Sequence, residues 1–175
     1  MAKAAPKYEP REMSMSDAVS DAFSALESLG EEMRESYDNT PENFQQSGVG
    51  EARGEAADAL ENLSEPSVPS ELEEIKVSWS VPVLSPSKAR KQSRSDRRYD
   101  ATATLQAVIS ALEDIRDYDQ PENENEEGEA LKEGDAGYEK PEYDEATVEA
   151  ARDFIDEVQN LIDEAEAVEF PGMYG

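Results

Sequence analysis

Asn123, Asn125 and Glu127 alternate ahead of Gly128 in the order in which a calcium loop presents its first oxygen ligands. The imitation stops there. With Gly128 in the sixth place the twelfth falls on Gly134, where a bidentate glutamate is required, and the first ligand is Asn rather than Asp. A second near-motif, Gly48-Val49-Gly50-Glu51-Ala52-Arg53, carries an arginine where the third glycine of a phosphate-cradling loop belongs. No strand precedes it. The chain has no His and no Cys, which removes the commonest general base and every thiol, disulfide and zinc–thiolate arrangement. Any carboxylate pair is lost among 43 acidic residues, and a single Trp offers little surface for stacking on a sugar. A non-enzymatic protein is expected, with no cofactor and no metal.

Charge remains as the chemistry on offer. The 43 acids face only 16 Lys and Arg, a net charge of −27 over 175 residues. Such a chain repels nucleic acid and anionic membrane as a whole and favours basic partners. Glu145, Glu149, Asp153 and Glu157 fall four apart, one row on a helix. Like charges at that spacing cost a few tenths of a kcal/mol per pair. They also place carboxylates about 6 Å apart along a rod, which can imitate a phosphate track and occupy a nucleic-acid-binding cleft. General solubility, or a high-salt habitat, is the plainer reading of the acidity; the excess of Glu over Asp, 29 to 14, weighs mildly against the habitat. The bases concentrate in Lys88, Arg90, Lys91, Arg94, Arg97 and Arg98. This segment could meet nucleic acid, or pair with the chain's own acids. If it opens a helix, its cations sit at the wrong end of the dipole and must be unwound or neutralised by acids.

The elements that position these groups follow from periodicity. Residues 1–12 read as a disordered arm. A helical hairpin spans 13–63, with Met15, Val19, Ala22, Leu26, Leu29, Met33 and Tyr37 as the seam of its first helix. Ser14 and Asp17 give a capping-box start. Asp38, Asn39, Thr40 and Asn43 should turn the corner, with Thr40 as N-cap and Pro41 in the first turn of the next helix. Ser47-Gly48-Val49-Gly50 should break that turn before a short helix buries Ala56, Ala57, Leu60 and Leu63. Residues 64–87 are a linker with an extended strand at about 75–84. There Ile75, Val77, Trp79, Val81 and Val83 alternate with polar residues, and Pro82 marks an edge. No convincing partner strand follows, "AVEF" at 167–170 being a weak candidate. Pairing with another chain, and hence a homo-oligomer anchored at Val77, Trp79 and Val81, is the expectation.

Residues 88–168 hold the basic segment and two long helices joined by an acidic loop, 119–142, that reads as mobile. The first helix has its seam at Ala101, Leu105, Val108, Ile109, Leu112 and Ile115. The second, from about Tyr143 to Val168, lines one face with Val148, Ala151, Ile155, Val158, Ile162 and Ala165, broadened by Phe154 and Leu161. Residues 169–175 are a tail. The fold expected is mainly α: a helical bundle or helical hairpins with one short edge strand or extended arm. The N-terminus lacks the apolar core of a signal peptide, and no apolar run approaches the roughly 20 residues of a membrane span. Neither membrane contact nor secretion is expected.

The segment Glu31–Leu63, above all "YDNTPENFQQSG" followed by "EAADALENL", resembles small uncharacterised proteins of tailed bacteriophages and prophages. In these a Tyr-Asp-Asn-x-Pro-Glu-Asn-Phe/Leu-Gln element joins two helices. The likeness covers about a fifth of the chain and brings no catalytic residue. It implies a viral origin, action in the host cytoplasm or in the virion, and roles in anti-defence, host takeover or assembly. The echo "DYDQPENEN" at 117–125 ends a second helix with the same chemistry but at another spacing. The leading expectation is therefore an acidic interaction protein that binds a basic protein surface, a host factor or a virion protein, as a DNA mimic would. A virion structural or assembly protein is one alternative. A nucleic-acid-associated protein acting through 88–98 is the other.

Overall fold

The computed structural model describes residues 7–85, 92–124 and 130–171. Among them the fold is mainly helical, with five helices and one two-stranded antiparallel sheet. The order is β1 (Tyr8–Ser14), α1 (Met15–Asp38), α2 (Glu42–Gln45), α3 (Gly48–Glu61), β2 (Lys76–Pro82), α4 (Arg94–Arg116) and α5 (Glu145–Glu166). None of the described helices is long and apolar enough to cross a membrane.

The seams read from the sequence form most of the core, with Tyr37 and Val148 only half-buried at the seam ends. Along α1, Met15, Val19, Ala22, Leu26, Leu29 and Met33 are buried, and α3 contributes Ala56, Ala57 and Leu60. Leu105, Val108, Leu112 and Ile115 of α4 meet Phe154, Val158 and Ile162 of α5, and all join the same cluster. The buried face of α5 is centred further round than its periodicity suggested. Phe154 and Leu161 are fully inside while Ile155 is half-buried, because α5 packs chiefly on α4 and needs only one stripe.

The extended segment does not wait for another chain. Residues 8–12 of the expected disordered arm, with Met13 and Ser14 from the expected hairpin, form β1 and pair with β2 in antiparallel register, Arg11 opposite Trp79 and Met13 opposite Val77. Hydrogen bonds from Val83 N–H to Lys7 O, 2.8 Å, and from Met15 N–H to Ile75 O, 2.7 Å, extend the tie at both ends. β1 has no apolar alternation to announce it. It is held by its ladder, by Met13 against the core, and by cross-strand contacts such as Lys76 Nζ to Glu12 Oε1 at 2.7 Å. Both strands are edges, and each carries a proline, Pro10 and Pro82, where an interior strand would not tolerate one. "AVEF" forms no strand; Val168 is buried beyond the end of α5. β2 thus has a partner strand inside the chain on one of its two edges.

The corner after α1 also departs from expectation. Thr40 is not an N-cap: its hydroxyl donates back to Ser36 O at 2.8 Å, and Pro41 precedes α2 without any side-chain cap. Asn39 donates to Glu35 O and Gln45 to Thr40 O, both 2.9 Å. Asp38 and Asn43 make no side-chain hydrogen bond among the described residues. The break falls at Gln46 and Ser47, as expected: α2 is a single turn, and Ser47, in extended backbone, caps α3 with its hydroxyl accepting from Gly50 N–H at 3.2 Å, so that Gly48–Gly50 already belong to α3. Gly50 is required by close approach: a Cβ there would stand 2.3 Å from Phe44 O and 2.5 Å from Gln45 O.

Gly50→Ala should therefore force backbone apart and cost about 1–3 kcal/mol, read as a lowered urea midpoint with unchanged slope. An unchanged midpoint would show that the corner yields freely. For the sheet, light scattering of the full chain should give one-chain mass across micromolar concentrations. A variant lacking residues 1–13 should self-associate as the edge of β2 is uncovered. Self-association of the full chain alone would restore the intermolecular strand.

Candidate interaction surfaces

The acidic face of α5 is built from its buried one. Asp144 caps the helix, accepting from Thr147 N–H at 2.8 Å. With Ala151, Phe154, Val158 and Ile162 turned into the core, Glu145, Glu149, Asp153 and Glu157 are all exposed. None of the four has an ion pair or side-chain hydrogen bond among the described residues. The row runs about 18 Å along the axis. Asp156, Asp163 and Glu164 widen it, and Arg152 is an exposed cation beside it.

The basic segment is used differently. Lys88, Arg90 and Lys91 lie outside the described residues. Arg94 and Arg97 open α4, whose start is fixed by a reciprocal capping box between Ser93 and Asp96. The hydrogen bond from Ser93 N–H holds the Asp96 carboxyl below the usual aspartate range. Both arginines turn onto Glu32 of α1: Arg94 Nε donates to Oε1 at 3.0 Å and Arg97 Nη2 to Oε2. One carboxylate thus serves two guanidiniums and offsets their position at the positive end of the helix dipole. The Arg97 hydrogen bond, with the nearby charge of both arginines, holds the Glu32 carboxyl below the usual glutamate range against a desolvation that opposes it. Arg98 donates to Glu166 O, 3.2 Å, and to Val168 O, and lies 5.6 Å over the Phe170 ring. It closes carbonyls at the end of α5 from outside that helix. The expectation that acids neutralise the segment holds for Arg94 and Arg97; the carbonyls taken by Arg98 had no signal in the sequence.

Of the proposed strand anchors, Val77 is fully buried and belongs to the core, so it cannot contact a partner. Trp79 and Val81 are half-buried. Arg11 lies 5.6 Å over the Trp79 ring and reaches Asp21 at 3.4 Å. Beside them an open cleft of about 400 Å³ is lined by Met13, Trp79, Arg97 and Thr104 among others. The near-motifs resolve structurally. Above Gly50 stand carbonyl oxygens, where a phosphate cradle would present N–H groups. Asn123 is a loop clasp, donating to Glu139 O at 2.9 Å and accepting from Glu139 N–H at 2.8 Å. Asn125, Glu127 and Gly128 lie outside the described residues. The echo thus fastens the acidic loop, helped by Tyr118, whose hydroxyl accepts from Glu142 N–H at 2.8 Å and whose ring meets Tyr143 edge-on at 5.3 Å.

Glu32 gives the stability a pH signature. Its folded-state pKa is lowered, so its contribution is present above the ordinary value of about 4.5 and is lost as pH falls through the lowered one. Glu32→Gln should therefore lower stability at neutral pH, and the gap from wild type should shrink in urea titrations below about pH 4.5. A gap independent of pH would show that the lost contact is not ionic.

Comparison of the chain with protein-family models, with curated proteins and with solved structures finds no match.

Proposed function

We propose that the protein is a non-enzymatic acidic interaction protein that docks the outer face of α5 on a basic protein surface, as a DNA mimic does. The observation that supports this reading is the state of Glu145, Glu149, Asp153 and Glu157: exposed, in one row, and without partners among the described residues. Their helix is anchored by a continuous buried stripe, so the row is presented rigidly. Preorganised charge spends little on ordering when it meets a partner. The net charge of −27 adds long-range attraction toward a cationic surface and speeds encounter. The likeness of the 31–63 corner to tailed-phage proteins points the proposal toward a basic host factor in the host cytoplasm, where occupying a nucleic-acid cleft would serve anti-defence or takeover. The reading as a virion assembly protein drew on an unpartnered strand and loses that support with β1 seated on β2. In the reading as a nucleic-acid binder, Arg94 and Arg97 turn onto Glu32 and Arg98 onto a backbone carbonyl, so these three do not stand as an outward track of cations.

The test is capture of partners from host lysate by the full chain, followed by release with rising salt and with double-stranded DNA. Charges at such an interface are screened over about 8–10 Å near physiological ionic strength, so release should be steep in salt, and DNA should compete. A variant with Glu145→Gln, Glu149→Gln, Asp153→Asn and Glu157→Gln should lose capture while its helix gains a few tenths of a kcal/mol per relieved pair. Retained capture by that folded variant would move the binding face elsewhere.

A further inference from the structure

A second cleft, of about 370 Å³, lies where α1, α3 and the start of α4 meet, and its lining has the opposite sign from the rest of the molecule. Arg53, Arg94 and Arg97 line it, with Glu32 as the one carboxylate among the lining residues and with Ser93 and Ser95 beside them. Three guanidiniums gather there in a chain of net charge −27. Glu32 is shared between Arg94 and Arg97, at 2.8 Å for the closest Arg94 nitrogen. Arg53 reaches the cleft from α3, outside the basic run, and its acceptor among the described residues is the neutral Thr40 hydroxyl at 3.1 Å. The Nε–H of Arg97 is buried and has no acceptor among the described residues. Each guanidinium carries five N–H donors in a fixed fork, so most of the donor capacity is unspent. The local balance is three cations to one carboxylate.

We propose that this cleft binds a phosphate-type oxyanion, either free or as the monoester of a small molecule. Guanidinium forks match tetrahedral oxyanions, and charge-assisted hydrogen bonds of this kind are about twice as strong as neutral ones. The Glu32 carboxylate already holds part of the site as an internal oxyanion, and it competes with the ligand. The global negative charge does not forbid binding, because charges beyond about 8 Å are largely screened at physiological ionic strength. This site is independent of the α5 face, and either can fail alone.

The experiment titrates inorganic phosphate, a nucleoside monophosphate and a short single-stranded oligonucleotide into the full chain at physiological ionic strength. Backbone amide shifts and arginine Nε signals are followed by NMR. Phosphate or the monophosphate should give a saturable shift at Ser93–Arg97 and Arg53; tighter binding of the monophosphate identifies the monoester as the source, equal binding the free anion. Arg53→Gln should weaken it roughly tenfold, the loss of about one charge-assisted contact. Glu32→Gln should tighten it at least about fivefold by removing the competitor. Arg34→Gln, on a surface arginine bound to Asp58 and Glu61, should leave it unchanged, so Arg53→Gln against Arg34→Gln decides the matter even if Glu32→Gln unfolds. No saturable shift up to about 10 mM phosphate or monophosphate, a Kd too weak for a built site, would overturn the proposal. So would equal weakening by Arg34→Gln, or saturation by the oligonucleotide alone, which would mark a nucleic-acid track.

Discussion

Everything in this fold leans on α1. Among the described residues it packs on α3, on α4 and on both strands, and its seam from Met15 to Met33 is continuous. The apolar content is only 37%, so a second independent core is beyond reach and the elements must share this one. Close approach is what makes sharing work. At Gly30 an added Cβ would lie 3.1 Å from Leu60 Cβ, so α1 and α3 pack nearly backbone to backbone. Arg34, one turn on, straps them outside with hydrogen bonds to Asp58 at 2.5 Å and Glu61 at 2.6 Å.

Cations are the scarce component of this chain, and their distribution shows how an acidic protein is held together. Among the described residues, arginines concentrate at junctions: Arg34 across α1 and α3, Arg94 and Arg97 across α1 and α4, Arg98 from α4 to the end of α5. Acids are placed outward, as on α5, where water solvates them and where they remain available. Exposed ion pairs are individually weak. The partly shielded ones on Glu32 matter more because they tie the capped start of α4 to α1.

The helical seams were legible because a single buried stripe per helix leaves a period near 3.6 in the sequence. Ser14 as a cap, Ala56–Leu60 and Leu105–Ile115 came out where their spacing put them. β1 was illegible for the complementary reason. Its sequence, Tyr-Glu-Pro-Arg-Glu-Met-Ser, shows a proline and charges and buries little beyond Met13. A strand held mainly by backbone pairing leaves no pattern in its side chains. The arginine cleft was half legible: the run at 88–98 stood out, but Glu32 and Arg53 enter by tertiary packing, which no local spacing encodes. The exposure of the α5 acids could be read, since an apolar stripe at Ala151–Ile162 dictates which side faces water.

The internal ladder between β1 and β2 has a topological consequence. It joins Ser14 to Lys76 and so closes a loop of roughly 60 residues that contains α1, α2 and α3. Closing a flexible loop of that length costs about 3–4 kcal/mol in chain entropy, growing only with the logarithm of its length. Here the α1–α3 hairpin doubles the chain back and shortens the span beforehand. The ladder is thus thermodynamically slaved to the hairpin. Whatever loosens the Thr40–Gly50 bend lengthens the effective loop, and the amino-terminal strand is released without being touched.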